Sequence, residues 1–274
     1  MRHEEIIYRE DGHVATIALN RPDKLNAWTA TMEMEVRSAV EAADNNEEIR
    51  IIIITGEGRG FCAGADMNLL SSAMTQGDDA EQSPDVVSDR TDSDPVERNY
   101  QQRFSYLLRV TKPVVAAING PCAGMGLCMT LFCDMRFMSE HTKLTTAFSR
   151  RGLVAEHGIA WMLPRLVGPM NAVDLLYSGR SVEATEAEKM GLVWKLPEDG
   201  FLETVQSWAA QLVTQSSPRS IRVMKRQIFA SLFQDLSESW EMADREMVKS
   251  FSCDDFREGV AHFLEKREPR FTGR

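Results

Sequence analysis

Apolar and polar positions along the chain follow two alternating periods. Val14, Thr16, Ile17 and Leu19 favour strand and follow Asp11-Gly12, a pair suited to positive φ, so residues 4–9 and 13–19 are predicted to form a hairpin. From Thr29 to Asp44 the apolar residues Met32, Val36, Ala39, Val40 and Ala43 recur at helical spacing, and 49–55 reads as a buried strand. The alternation returns with a helix over 96–110, a strand over 114–118, a helix over 124–132 and a strand over 135–139, which predicts βαβ units on a mainly parallel sheet. Beyond a turn at 197–200 the pattern is helical almost throughout, over 201–215, 218–232, 234–251 and 254–267. We therefore expect an α/β core over 1–200 and a helical C-terminal region over 201–274, packed on the core or on a neighbouring subunit. A short helix is expected over 66–76, followed over 77–98 by a mobile surface loop with eight acids and two arginines that could act as a lid.

With 274 residues and 43% apolar content, the chain can bury a substantial core. Its net charge of -10 argues against nucleic acid or a membrane surface as partner. The five cysteines (Cys62, Cys122, Cys128, Cys133 and Cys253) lack CxxC spacing and suit a reduced compartment. Residues 1–5 carry charge where a signal peptide has an apolar core, and no apolar run approaches the ~18 residues of a membrane span. A soluble, cytoplasmic protein is expected.

Two strands run into small-residue turns that can open helices: Ile51–Thr55 before Gly60-Phe61-Cys62-Ala63-Gly64-Ala65-Asp66, and Pro113–Asn119 before Gly120-Pro121-Cys122-Ala123-Gly124-Met125-Gly126. Side by side, their unpaired N–H groups could hold one oxygen that gains negative charge during reaction. The competing account is tight helix–strand packing. The run Gly56-Glu57-Gly58-Arg59-Gly60 lacks the spacing of a nucleotide-binding loop.

Together with Asn20-Arg21-Pro22, Leu25-Asn26-Ala27, Lys112 through Gly120, Cys133-Asp134, Gly179-Arg180, Ala187 through Val193 and Phe263-Leu264-Glu265-Lys266-Arg267, these turns give a chain that resembles the crotonase, or enoyl-CoA hydratase/isomerase, superfamily along nearly its whole length. The resemblance implies a spiral of ββα repeats, a helical C-terminal trimerisation region, a homotrimer or a hexamer made of two trimers, and acyl-CoA thioesters as substrates, with no metal or cofactor beyond the CoA of the substrate. By position it assigns the oxyanion N–H groups to Ala65 and Met125. It places Lys24, Leu25 and Ala27 beside the adenine and pantetheine, Ala63, Asp66 and Gly124 among the substrate-binding residues, and Phe251 and Lys266 among C-terminal residues that reach CoA, often from a neighbouring subunit.

Hydratases of this superfamily use two glutamates, and their positions are occupied here by Cys128 and Phe148. An acid stands instead at Glu156, just before the apolar helix that starts at Ile159, where the resemblance places the single carboxylate of enoyl-CoA isomerases. One base suffices to move a proton from the α to the γ carbon of an enolate. Glu156 could alternatively be a helix N-cap, His157 a solvent-facing or structural residue, and Cys128 a small apolar helix residue or a thioester-attacking nucleophile. Met125, Phe148, Trp161 and Met162 are candidates for shaping the acyl pocket. The expected activity is enoyl-CoA isomerisation or atypical hydration, with C–C or thioester hydrolysis and silent acyl-CoA binding as alternatives.

Overall fold

The computed structural model describes residues 3–68, 71 and 98–274. The loop expected over 77–98, Arg98 excepted, and most of the helix expected over 66–76 lie outside the described residues.

The first hairpin is formed by β1 (Ile6–Asp11) and β2 (Val14–Leu19), with Gly12 at φ 53° in the turn. Thr29 caps α1 (Ala30–Asn45) by accepting the Met32 N–H at 3.0 Å, and α1 leads into β3 (Ile51–Gly56). Then follow β4 (Val114–Ile118), β5 (Cys122–Ala123), α2 (Met125–Leu131), β6 (Met135–Ser139) and β7 (Lys143–Thr145). The next elements are α3 (Ile159–Ser178), β8 (Val182–Glu183), α4 (Ala184–Lys189) and β9 (Trp194–Leu196). Helices α5 (Phe201–Gln215), α6 (Pro218–Ala230), α7 (Leu236–Ser250) and α8 (Asp254–Glu265) complete the chain. The main sheet has the order β1-β2-β3-β4-β6-β9 and is parallel except for the first pair; β5, β7 and β8 form a second sheet.

Burial on both faces explains the unbroken isoleucine run of β3. Ile52 and Ile54 join α1 and α2 in the larger core, whereas Ile51 and Ile53 meet Phe201, Val205, Ala209 and Val213 of α5. Each such side chain contributes about 1.5–3 kcal/mol by leaving water. No helix among the described residues is long and apolar enough to cross a membrane.

The helix expected over 96–110 is not what the described part of that segment forms: after Arg98 it turns and keeps only one 3-10 turn, Ser105–Leu108. One local and one long-range partner compete with the helical ladder here. The Ser105 hydroxyl accepts the Gln102 N–H at 3.1 Å, and the Leu107 carbonyl accepts from Lys225 Nζ of α6 at 3.0 Å. The helix that the sequence marks at Ile159 continues to Ser178 across a kink at Gly168.

Lys225 is nearly inaccessible, its side chain 4% exposed, yet its three donors are matched by the carbonyls of Leu107 and Lys112 and by Asp134 Oδ2 at 3.0, 2.9 and 2.7 Å. The C-terminal helices are thus pinned to the core by a charge that has no other outlet. Lys225→Met is expected to cost about 3–5 kcal/mol by leaving Asp134 and two carbonyls without their cation. Urea unfolding checks this, and a loss below ~1 kcal/mol would contradict the anchoring role.

Candidate active site

The two small-residue turns meet at the C-terminal ends of β3 and β4. Cys62 N–H donates to the Pro121 carbonyl at 3.1 Å and the Ala123 N–H donates back to the Cys62 carbonyl at 2.9 Å. The approach is closest where side chains are missing. A Cβ on Gly126 would lie 2.5 Å from Cys62 Cβ and 2.8 Å from its Sγ, and one on Gly124, at φ 49°, would lie 3.7 Å from the Gly64 Cα. Gly64, at φ 100°, adopts a backbone conformation that L side chains rarely take.

The segment holding Lys24, Leu25 and Ala27 is laid along the first turn. Ala63 N–H donates to the Leu25 carbonyl, Trp28 N–H to the Gly64 carbonyl and Asp66 N–H to the Trp28 carbonyl, at 2.8–2.9 Å. Because Gly64 and Asp66 supply the pairing to Trp28, the intervening Ala65 N–H is turned to the opposite side. Met125 is the first residue of α2, so no helical carbonyl stands behind its N–H. Buried Asn26 sits at φ 55°; its side chain accepts from the Arg21 N–H and donates to the Glu57 and Gly60 carbonyls, tying the segment to the end of β3. Asp66 takes the Asn68 N–H and an Arg21 guanidinium hydrogen, each at 2.9 Å, which hold its carboxyl below the usual carboxylate range.

Cys128 lies one helical turn beyond Met125, fully buried, with Sγ 3.9 Å from the Glu156 carbonyl. Burial first, and then the Glu156 carboxylate, push its thiol up, which keeps it protonated and counts against a nucleophilic role. Glu156 is therefore held beside the first turn of α2. Its side chain is 33% exposed; burial raises its pKa above the ordinary glutamate value, and the Arg103 charge opposes that rise. Glu156 is not the N-cap of α3: Gly158 holds that position, with no side-chain cap bond. A Cβ on Gly158 would press on the Phe132 ring at 2.8 Å, so the entry to α3 rests on the end of α2.

His157 is not solvent-facing; its side chain is 17% exposed, its Nε2 lies 3.5 Å from Glu156 Oε2, and its Nδ1 lies 3.5 Å from an Arg103 guanidinium nitrogen. Guanidinium can only donate, so Nδ1 accepts and the ring hydrogen on Nε2 faces the Glu156 carboxylate. Arg103 is oriented by Glu33 Oε1 at 3.1 Å, and the same carboxylate accepts from the Trp28 indole N–H at 3.2 Å. Beside this row lies a cavity of about 380 Å³ that His157, Gly158, Phe104, Phe132, Trp161 and Phe233 help to line.

The structure thus brings Lys24, Leu25, Ala27, Ala63, Ala65, Asp66, Gly124, Met125, Cys128 and Glu156 into one region, with Trp161 on the cavity wall. Phe148 is a core residue whose carbonyl accepts the Arg151 and Leu153 N–H groups. The contacts of Phe251 and Lys266 lie instead within the C-terminal helices: Phe251 packs edge-on against Phe256, and Lys266 caps α8 in the left-handed region. Arg103, Phe104, Phe132 and Phe233 were not anticipated. Phe132 was readable as the end of the α2 apolar stripe, whereas no local pattern marks the other three.

A mainly parallel α/β sheet whose strand ends carry two interlocked glycine turns, followed by a helical C-terminal region, defines a crotonase-fold enzyme. The chain belongs to the enoyl-CoA hydratase/isomerase family, whose model matches residues 9–274. It is 32% identical to 1,2-epoxyphenylacetyl-CoA isomerase of Escherichia coli strain K12, over 99% of each chain. It is 29% identical to trans-2-decenoyl-[acyl-carrier-protein] isomerase of Streptococcus mutans over the full length of both. Among solved structures, an enoyl-CoA hydratase of Bacillus anthracis superposes with a TM-score of 0.87 at 27% identity, over 99% of this chain and 100% of the other.

The contact at Gly126 yields a direct test. Gly126→Ala must displace either Cys62 or the start of α2, and is expected to cost roughly 1–3 kcal/mol and to lower activity more than affinity for CoA. Thermal unfolding and steady-state kinetics check this; a variant equal to wild type in both would mean that the turns do not depend on this approach.

Proposed function

We propose that the protein is an acyl-CoA isomerase in which Glu156 is the single acid/base and the Ala65 and Met125 N–H groups stabilise the thioester enolate. The observation that carries this reading is a half-buried Glu156, whose backbone carbonyl lies 3.9 Å from Cys128 Sγ in the first turn of α2 and whose carboxylate lies 3.5 Å from His157 Nε2; by the family resemblance, Cys128 and Phe148 stand where hydratases carry their two glutamates. Burial raises the basicity of the carboxylate, and the paired N–H groups lower the acidity barrier at the α carbon by holding charge on the thioester oxygen. Glu156 removes the α proton and returns it at the γ carbon, so one residue completes the cycle and no metal or redox cofactor is called for beyond the CoA carried by the substrate. Lys24, Leu25 and Ala27 run beside the adenine and pantetheine of CoA, and Ala63, Asp66 and Gly124 complete the substrate-binding surface. Two of the relatives are named isomerases, which fits the isomerase reading.

Hydration is the second reading, favoured by the 3.5 Å approach of His157 Nε2 to Glu156, which sets a second proton-bearing group beside the base. We also propose a trimeric assembly, single or doubled into a hexamer. On α7 and α8, Trp240, Val248, Phe263 and Leu264 are 65–76% exposed, and copies of the chain would cover them while bringing Phe251 and Lys266 to a neighbour's CoA. A reduced, cytoplasmic setting suits the five free thiols.

In D2O, 3-enoyl-CoA esters are expected to give 2-enoyl products with deuterium at the α and γ carbons, and Glu156→Gln is expected to lower kcat about 10²–10⁴-fold while binding persists. Formation of 3-hydroxyacyl-CoA would favour hydration instead. Because Glu156 acts unprotonated and its pKa is raised, kcat/KM should fall with decreasing pH at a higher pH than an ordinary glutamate near ~4.3 would give. Arg103→Gln removes the opposing charge and should move that limb further up in pH; an unmoved limb would detach Arg103 from the base. Sedimentation equilibrium should give three or six times the chain mass, and a monomer would exclude the proposed assembly.

A further inference from the structure

The 380 Å³ cavity is lined by His157, whose Nε2 approaches Glu156; Asn99, Gln102, Arg103 and Ser105 supply polar wall, and much of the rest is aromatic. Phe104 stands edge-on to His157 with ring centroids 6.0 Å apart, Trp28 backs Phe104 at 5.5 Å, and Phe132 lies beneath Gly158. Across the space, Trp161 stacks on Phe233 with centroids 5.2 Å apart and planes 10° from parallel, and Tyr100 braces Phe233 edge-on at 5.8 Å. The Arg165 guanidinium carbon sits 4.0 Å from the Trp161 ring centroid. Two groups this close to one ring clash unless they take opposite faces, so both faces of the indole are covered and its rim is what remains to meet an occupant. Aromatic rims carry positive charge density and prefer the face of another ring.

The position of this space is also defined. Met125 opens α2 and Phe132 closes it about 10 Å further on at 1.5 Å per residue, with Cys128 and the Glu156 backbone between them. An acyl chain whose thioester sits at Met125 would have to pass Glu156 to reach these rings.

We infer that the cavity takes a ring-bearing acyl group, an aryl-acyl thioester, in preference to a straight alkyl chain of the same carbon number. This rests on the acyl-CoA reading of the site. A flat ring meets the indole rim and the Phe104 and Phe233 rings with few torsions to freeze, whereas an alkyl chain must order every bond to fill the same walls.

Phenylacetyl-CoA and octanoyl-CoA each carry eight acyl carbons and neither offers a double bond to migrate, so binding can be measured without turnover. Titration calorimetry on the full chain should give phenylacetyl-CoA at least about fivefold the affinity of octanoyl-CoA. Phe233→Leu, and separately Trp161→Leu, should bring that ratio to within about twofold of one, a readout that general loss of affinity does not move. Equal or reversed wild-type affinities would overturn the inference, as would a ratio unchanged in both variants. Failure of wild type to bind either ester or CoA itself would instead overturn the acyl-thioester reading beneath it.

Discussion

The contact on which the molecule is built is the backbone approach between the end of β3 and the start of α2. Gly126 lies so near Cys62 that a single methyl group has no room, and the parallel pairing of Cys62 with Pro121 and Ala123 holds the two turns at that separation. From it follow the direction of the Ala65 N–H, the placement of Met125 at the head of α2, and the level at which Cys128 meets Glu156. Cys62 illustrates the price: its thiol is wholly buried and pushed up to about 12, so it serves as an uncharged spacer between the turns.

The second level of organisation is a row of polar groups that the first level orients. Trp28 is locked to the first turn by two backbone bonds, its indole donates to Glu33, Glu33 holds Arg103, and Arg103 faces His157 next to Glu156. Burial raises the basicity of the carboxylate at the end of this row, and the Arg103 charge opposes that rise. Family membership establishes an acyl-CoA enzyme of the hydratase/isomerase type; the arrangement of this row bears on which reaction a single carboxylate can run.

Much of the scaffold was legible in the chain because local and global preferences agree there. The heptad-like spacing from Met32 to Ala43 and the isoleucines of β3 have only one satisfying placement, and the glycine turns were visible as motifs before their contact was. Legibility failed where distant groups decide. The helix expected over 96–110 loses to Lys225, whose bonds span 118 residues to Leu107, and Phe233 reaches Trp161 across a separation that no sequence period encodes. Glu156 was readable as an acid near a helix start, but its separation from the cap depends on the left-handed residues His157 and Gly158, which local propensity does not announce.

Lys225 has a further consequence, one of order in time. Its acceptors are provided by segments 91–118 residues earlier in the chain, so the ammonium cannot be discharged into its site until the sheet and the Ser105–Leu108 turn already exist. All three acceptors precede α6 in the chain, so the core alone encodes the socket and α6 contributes only the cation that fills it.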